Sequence, residues 1–486
     1  MPSCPRRQGK LAGSLRSDAL CAFRERLGMA DRIPDVVLCT RVRIDLVDPP
    51  TRTPVMRTSR NPLYPCLLCL LLALPISSAI AANFTVTLTG DAVDLNAGNG
   101  FCNILPQAGP GPCSLRAAII ESNALAGADT ISLQAGEVIT LSLAGAGEDA
   151  GYSGDLDITD NLSILFLASG QRPVVDANGL ERAFQVLSGN LTLLGFDITG
   201  GDASVPGDGF GGAIAVGFDA GNVELAFMRL YGNRAQFGGA LYNDGPDTEF
   251  SASEAYDNQH VTGFPDSSSS AIRNRGTLTI QNSSIFDNSG EGGNGAIAVA
   301  NFPPNAGTAL MTIINSTIAD NIGIGVESED ASTLVVRNST IVANSATGIR
   351  IQGADGTFQM RNSVIAKNDA QDCTISSDAS LNLDRYNMDS DNTCRLSDGS
   401  SNYPDVEPYL TPLKRRDGAT MASWPLTISP LLDAGHPTIG SIGCEAEDQY
   451  FVDRPIDFDG NGNARCDVGA IELDSDVIFF DPFEIL

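Results

Sequence analysis

One string recurs along the second half of this chain. It reads "NSSIFDN" at 282–288, "NSTIADN" at 315–321, "NSTIVAN" at 338–344 and "NSVIAKN" at 362–368. The starts at Asn282, Asn315, Asn338 and Asn362 lie 33, 23 and 24 residues apart. Each copy follows a short alternating β-prone piece such as "GTLTIQ" and precedes a third piece such as "GIGVES" or "GIRIQG". Looser copies begin at Asn190, Asn222 and Asp247. A period of roughly 20–35 residues with strand alternation and no helical phase predicts a solenoid. Three short strands per turn make it all-β, a parallel β-helix. One coil cannot bury its own apolar face, but stacking on its neighbours does so. Inward positions should take Leu, Ile, Val and Phe at period two. Corners should collect Asn and Gly, which tolerate left-handed backbone angles, and aligned Asn side chains can bond along the axis.

Asn282, Asn315 and Asn338 also head N-x-[ST] triplets, the acceptor pattern for N-glycosylation. Val364 destroys that triplet in the copy at Asn362, yet the strand pattern persists there. A corner explains the recurrence and a modification signal does not. "NSTIADN" is therefore read as a corner, a short strand with Ile318 directed inward, and the next corner. On this reading Ile318→Asp unfolds or frays the stack, whereas Thr317→Val does little.

The first residues do not share the rhythm. Residues 1–55 read as an over-extended start or a disordered leader, with Met56 as the expected true start. Residues 56–81 have a basic n-region at Arg57 and Arg60, an apolar core from Cys66 to about Ile76, and small residues at Ala79 and Ala81. That is the pattern of a secretory signal peptide, and its apolar core is shorter than a membrane span of about 20 residues. Residues 82–127 are expected to form an N-terminal cap, 128–372 the coils, 373–472 irregular C-terminal coils and a cap, and 473–486 a tail with a sorting role. Beyond residue 82 the chain keeps 18 basic and 53 acidic residues, a net charge near −35. Such a surface disfavours nucleic acid and anionic membranes and suits a secreted or outer-surface protein.

Six of the 11 cysteines follow the signal, in the local couples Cys102/Cys113, Cys373/Cys394 and Cys444/Cys466. An even count in short loops fits disulfides within each couple, although six cysteines permit other pairings. "CSLRAAIIESNAL" at 113–125 is the one amphipathic helical run. Ser114 can cap it, and Leu115, Ala118 and Ile119 share its apolar face. It would cover an open end of the solenoid.

"CSLRAAIIESNALAGADTISLQAG" at 113–136, followed by "GDLDITDNLSI", resembles the CSLREA-domain family of secreted bacterial proteins, with Ala117 where the motif has Glu. "DFDGNGNARCDVGAIE" at 457–472 resembles the terminus of choice-of-anchor type right-handed parallel β-helix proteins. "DVIFFDPFE" from 476 is similar to tails of exported proteins in the Xanthomonas/Lysobacter group, with Pro482 replacing a glycine. The resemblance implies a right-handed β-helix and export. It implies no settled activity.

Candidate chemistry is sparse. The acidic clusters are Glu148, Asp149, Asp155 and Asp157, then Glu327, Glu329 and Asp330, then Asp389 and Asp391. None recurs in a form that marks partners on neighbouring coils. Arg273 and Arg275 are the best lyase-like basic pair but are read as corner or ion-pair residues. His260 and His436 are read as turn residues. Asp457, Asp459, Asn461 and Gly462 reproduce the start of an EF-hand loop, with Val468 where the closing Glu belongs. They are the candidate metal ligands, calcium is the candidate cofactor, and Asp453 or Asp467 would assist. The expected function is a structural, adhesive or glycan- and protein-binding role with no catalytic residue. The alternative is a polysaccharide lyase or hydrolase using carboxylates on one face. Expected partners are an extracellular glycan or a surface protein, with no nucleic acid and no membrane span.

Overall fold

A computed structural model describes residues 81–474, except 108, 146, 205–208, 262–268, 294, 305–306, 384, 398–400, 417–419 and 441–442. The expected leader, nearly all of the expected signal and most of the expected tail lie outside the described residues. So does most of the loop before Arg273.

One coil shows how sequence becomes structure. Leu310–Ile314, Thr317–Ala319 and Gly323–Glu329 are its three strands. Met311, Ile313, Ile318 and Val326 are fully buried and fill the interior. On the next coil they stack in parallel register on Leu334, Val336, Ile341 and Ile349. Repetition yields three parallel sheets of 11, 10 and 9 strands, a right-handed parallel β-helix. A single apolar column runs through it from Phe84 to Leu396. A further four-stranded parallel sheet lines one corner, and a short antiparallel pair joins Lys414–Arg415 to Met421–Ala422.

The corners behave as the repeats require. Asn282, Asn315, Asn338 and Asn362 take φ of 53°, 46°, 44° and 52°, the left-handed region Asn tolerates. At the following corner Asn233, Asn258, Asn288, Asn321, Asn344 and Asn368 form a buried ladder. Each side-chain amide up to Asn344 donates to the next Oδ1 at 2.9–3.1 Å. Asn368 ends the ladder on Asp372 Oδ1 at 3.1 Å.

The helix is Leu115–Ala124, the single α-helix among the described residues, capped by Ser114 Oγ accepting from Ala117 N at 3.1 Å. Arg116 pins it, bonding Asp91 and the carbonyls of Gly151, Gly154 and Asp155. Disulfides join Cys102 to Cys113, Cys373 to Cys394 and Cys444 to Cys466.

The C-terminal region differs from a simple closing cap. Gln371–Ile375, Ser380–Leu383 and Met388–Asp389 still stack as strands. The later chain then returns along the outside of the 10-stranded sheet as a lateral strap. The corner asparagines hold it. Asn282, Asn315 and Asn362 donate to the carbonyls of Asp448, Glu447 and Asp467 at 2.7, 2.9 and 3.0 Å, and Asn338 accepts from Glu445 N at 3.2 Å. The triplet asparagines are accordingly buried. Thr317 does face outward from the solenoid, but the strap covers it. It is 0 % exposed and its Oγ1 donates to Gln449 Oε1 at 2.6 Å. The expectation that Thr317→Val does little is therefore corrected.

Candidate functional site

The outer face of the 9-stranded sheet carries the aligned charges. Val299, Val326 and Ile349 point inward and are fully buried, so their neighbours Ala300, Glu327 and Arg350 point outward. Register places Tyr242, Arg273, Ala300, Glu327 and Arg350 in one column along the axis. Two residues further on, Glu329 is paired to Gln352, and Arg275 and Phe302 directly follow the paired Asn274 and Asn301 on the two preceding coils. The basic pair and the "ESED" carboxylates thus share one face, which corrects the reading that no acidic cluster has partners on neighbouring coils. Sequence reasoning missed Tyr242, Phe302, Arg350 and Gln352.

The two carboxylates differ. Glu327 is 0 % exposed and is clasped by Arg350, whose Nε and Nη2 each donate at 2.6 Å, and by Gln352 Nε2. Such a bidentate pair keeps the Glu327 carboxylate occupied. The Glu329 carboxyl makes no hydrogen bond among the described residues. Burial, then the charges of Glu327 and Asp330, push its carboxyl up to about 7. It lines a cleft of ≈ 690 Å³ with Arg350, Gln352, Ile297 and Ile324. Gly323, at φ 127° and with the Ala296 carbonyl 1.9 Å from where a Cβ would stand, lets the cleft floor close up.

Arg273 sits two coils from Glu327. Burial pulls its guanidinium down to about 10. Its Cζ lies 4.0 Å from the centre of the Phe302 ring and 5.1 Å from that of Phe237. Arg275 Nη1 donates to the Tyr242 hydroxyl at 3.1 Å, and burial raises that phenol. The face therefore offers guanidinium groups to an anion and one carboxyl able to exchange a proton near neutrality.

The remaining candidates are elsewhere. Asp155 pairs with Arg182 at 2.8 Å, and the buried Asp157, pushed up to about 8 by burial and then Asp155, accepts from Gly151 N. Both lie near the capping helix. Asp389 and Asp391 accept from Cys394 N and Thr393 N beside a disulfide. His260 Nδ1 contacts the Gln236 carbonyl, and His436 sits against Tyr386.

Near the C-terminus, Asp433, Asp457 and Asp459 bring one carboxylate oxygen each within 4.8 Å of one another, a set able to hold a cation. Asp433 was not evident from loop spacing. Asn461 Nδ2 donates to Asp459, while its Oδ1 accepts from Asn463 N. Asp467 is drawn inward, accepting from Leu473 N and Asp433 N.

Residues 305–403 match the model of the right-handed β-helix region. No curated protein matches the chain. Among solved structures, the pectate lyase Pel9A aligns at 15% identity and TM-score 0.46, covering 82% of this chain and 98% of its own. A rhamnogalacturonan lyase aligns at 13% identity and TM-score 0.33, over 64% and 73%. At this distance the likeness is one of fold. The expectation of a structural or adhesive chain without catalysis is nonetheless corrected. The carboxylate and guanidinium groups aligned across neighbouring coils, which the expectation took to be missing, are present on the outer face of the 9-stranded sheet. No helix among the described residues is long and apolar enough to cross a membrane.

Proposed function

We propose that the chain is a polysaccharide-active enzyme that cleaves an acidic glycan by β-elimination on the outer face of the 9-stranded sheet. One observation carries the reading: the Glu329 carboxyl, without a hydrogen bond among the described residues and raised to about 7 by burial, lines a cleft on the face that carries Arg273, Arg275 and Arg350. A uronate carboxylate would bind Arg350, which lines the cleft with Glu329, and this acidifies the adjacent C5–H. Glu329 removes that proton. The C4–O bond breaks, a C4=C5 double bond forms, and the leaving oxygen takes a proton from water. A hydrolase needs two working carboxyl groups. Glu327 is held by Arg350 and Gln352, which favours the lyase.

The test incubates the purified chain with polygalacturonate and follows ultraviolet absorbance of the unsaturated product. Absorbance should rise, and Glu329→Gln should abolish it. Reducing ends without absorbance would make it a hydrolase. No cleavage of any polyuronide would sink the proposal.

The same reading includes export by the segment at 56–81, kinship with CSLREA-domain proteins of the Xanthomonas/Lysobacter group, and an extracellular or outer-surface location. It also assigns weak Ca²⁺ binding to Asp433, Asp457 and Asp459, a set of oxygen ligands at a glycine turn. Calorimetry with CaCl₂ should show heat that Asp457→Asn with Asp459→Asn removes. Absence of heat from the unmodified protein would end that assignment.

A further inference from the structure

The aromatic wall beside Arg273 is not used by the cleavage step. Phe210 and Phe237 stack with ring centres 5.5 Å apart and planes at 21°. Phe210 also meets Tyr242 at 4.6 Å. Phe237 then leads to Arg273 and on to Phe302. Phe210 is 37% exposed, outside the solenoid interior, so this ring adds little to the core. Parallel bridges join Phe210 to Phe237 and Phe237 to Ser269. Phe210 thus stands four strand spacings, about 19 Å, from the coil that bears Glu329.

We propose that Phe210, backed by Phe237 and Tyr242, is a sugar-binding subsite for a distal residue of the acidic glycan cleaved at Glu329. This rests on the glycan reading of the face. The occupant follows from the chemistry present. A pyranose has an apolar C–H face that suits an exposed ring, and a uronate adds a carboxylate that suits Arg273 and Arg275 beside it. Subsite and cleft lie on one face, aligned with the solenoid axis. The glycan therefore runs along that axis, and a short oligomer seated at Glu329 leaves Phe210 uncovered.

The test measures calorimetric binding of size-graded oligogalacturonates to the full chain carrying Glu329→Gln, which prevents turnover, with and without Phe210→Ala or Phe210→Trp. With Phe210 in place, affinity should climb with oligomer length. Phe210→Ala should remove about tenfold of that gain for the longest oligomer, and Phe210→Trp should keep it. Equal affinity for the longest oligomer with and without Phe210→Ala overturns the subsite and leaves the cleavage site standing. If no oligomer binds any form while the unmodified chain cleaves polygalacturonate, the subsite is also overturned. If the unmodified chain neither binds nor cleaves, the glycan reading falls and the subsite falls with it.

Discussion

Thr317 and Ile318 are adjacent, and both are fully buried, but for different reasons. Ile318 stacks between Ile285 and Ile341 inside the solenoid, so Ile318→Asp should prevent folding. Thr317 is buried by the strap alone. Thr317→Val leaves Gln449 Oε1 without its donor and should cost about 1–3 kcal/mol in urea unfolding. Glu329 yields a pH signature. Its pKa rises from the ordinary 4.5 to about 7 in the folded chain. Between these values the native state holds a proton that the unfolded chain has released, so the contribution to stability falls as pH rises. Glu329→Gln should therefore melt at higher temperature than the unmodified protein above about pH 7, and the gap should close below 4.5. Elimination should speed up as pH rises through the same window.

Among the elements, the asparagine ladder is the most exacting. Asn321 donates to the Ile285 and Ala319 carbonyls and to Asn344, and accepts from Asn288. Asn321→Ala strands several buried groups at once and should cost about 3 kcal/mol or more by denaturant titration. This ladder was readable from the chain, because each copy of the recurring string closes on its corner asparagine. The candidate site was not. Arg273, Glu327 and Arg350 stand in one column, but outward positions obey no repeat, and coils of 33, 23 and 24 residues hide the register. Counting through aligned valines and isoleucines would have found the column. Asp433 was hidden differently, since an unrelated turn brings it to Asp457 and Asp459. The strap was equally invisible, because its backbone is held by single hydrogen bonds to corner asparagines far away in sequence.

At the scale of the molecule, coil contacts are local and strap contacts are remote. Ladder bonds join residues 23–33 apart, whereas the strap's four bonds to the corner asparagines join residues 105–166 apart. A stack coupled only through nearest neighbours can nucleate anywhere and can unravel from an end. The strap grips four successive corners, at Asn282, Asn315, Asn338 and Asn362. It should therefore form last, after the slow closure of a long loop. Once in place it makes those coils lose structure together rather than one by one. Amide hydrogen exchange should show a common opening free energy across 282–366, and Gln449→Ala should split it into graded values. The strap thus works as a lock on cooperativity, and a chain in which it is detached would be left with coils that open singly.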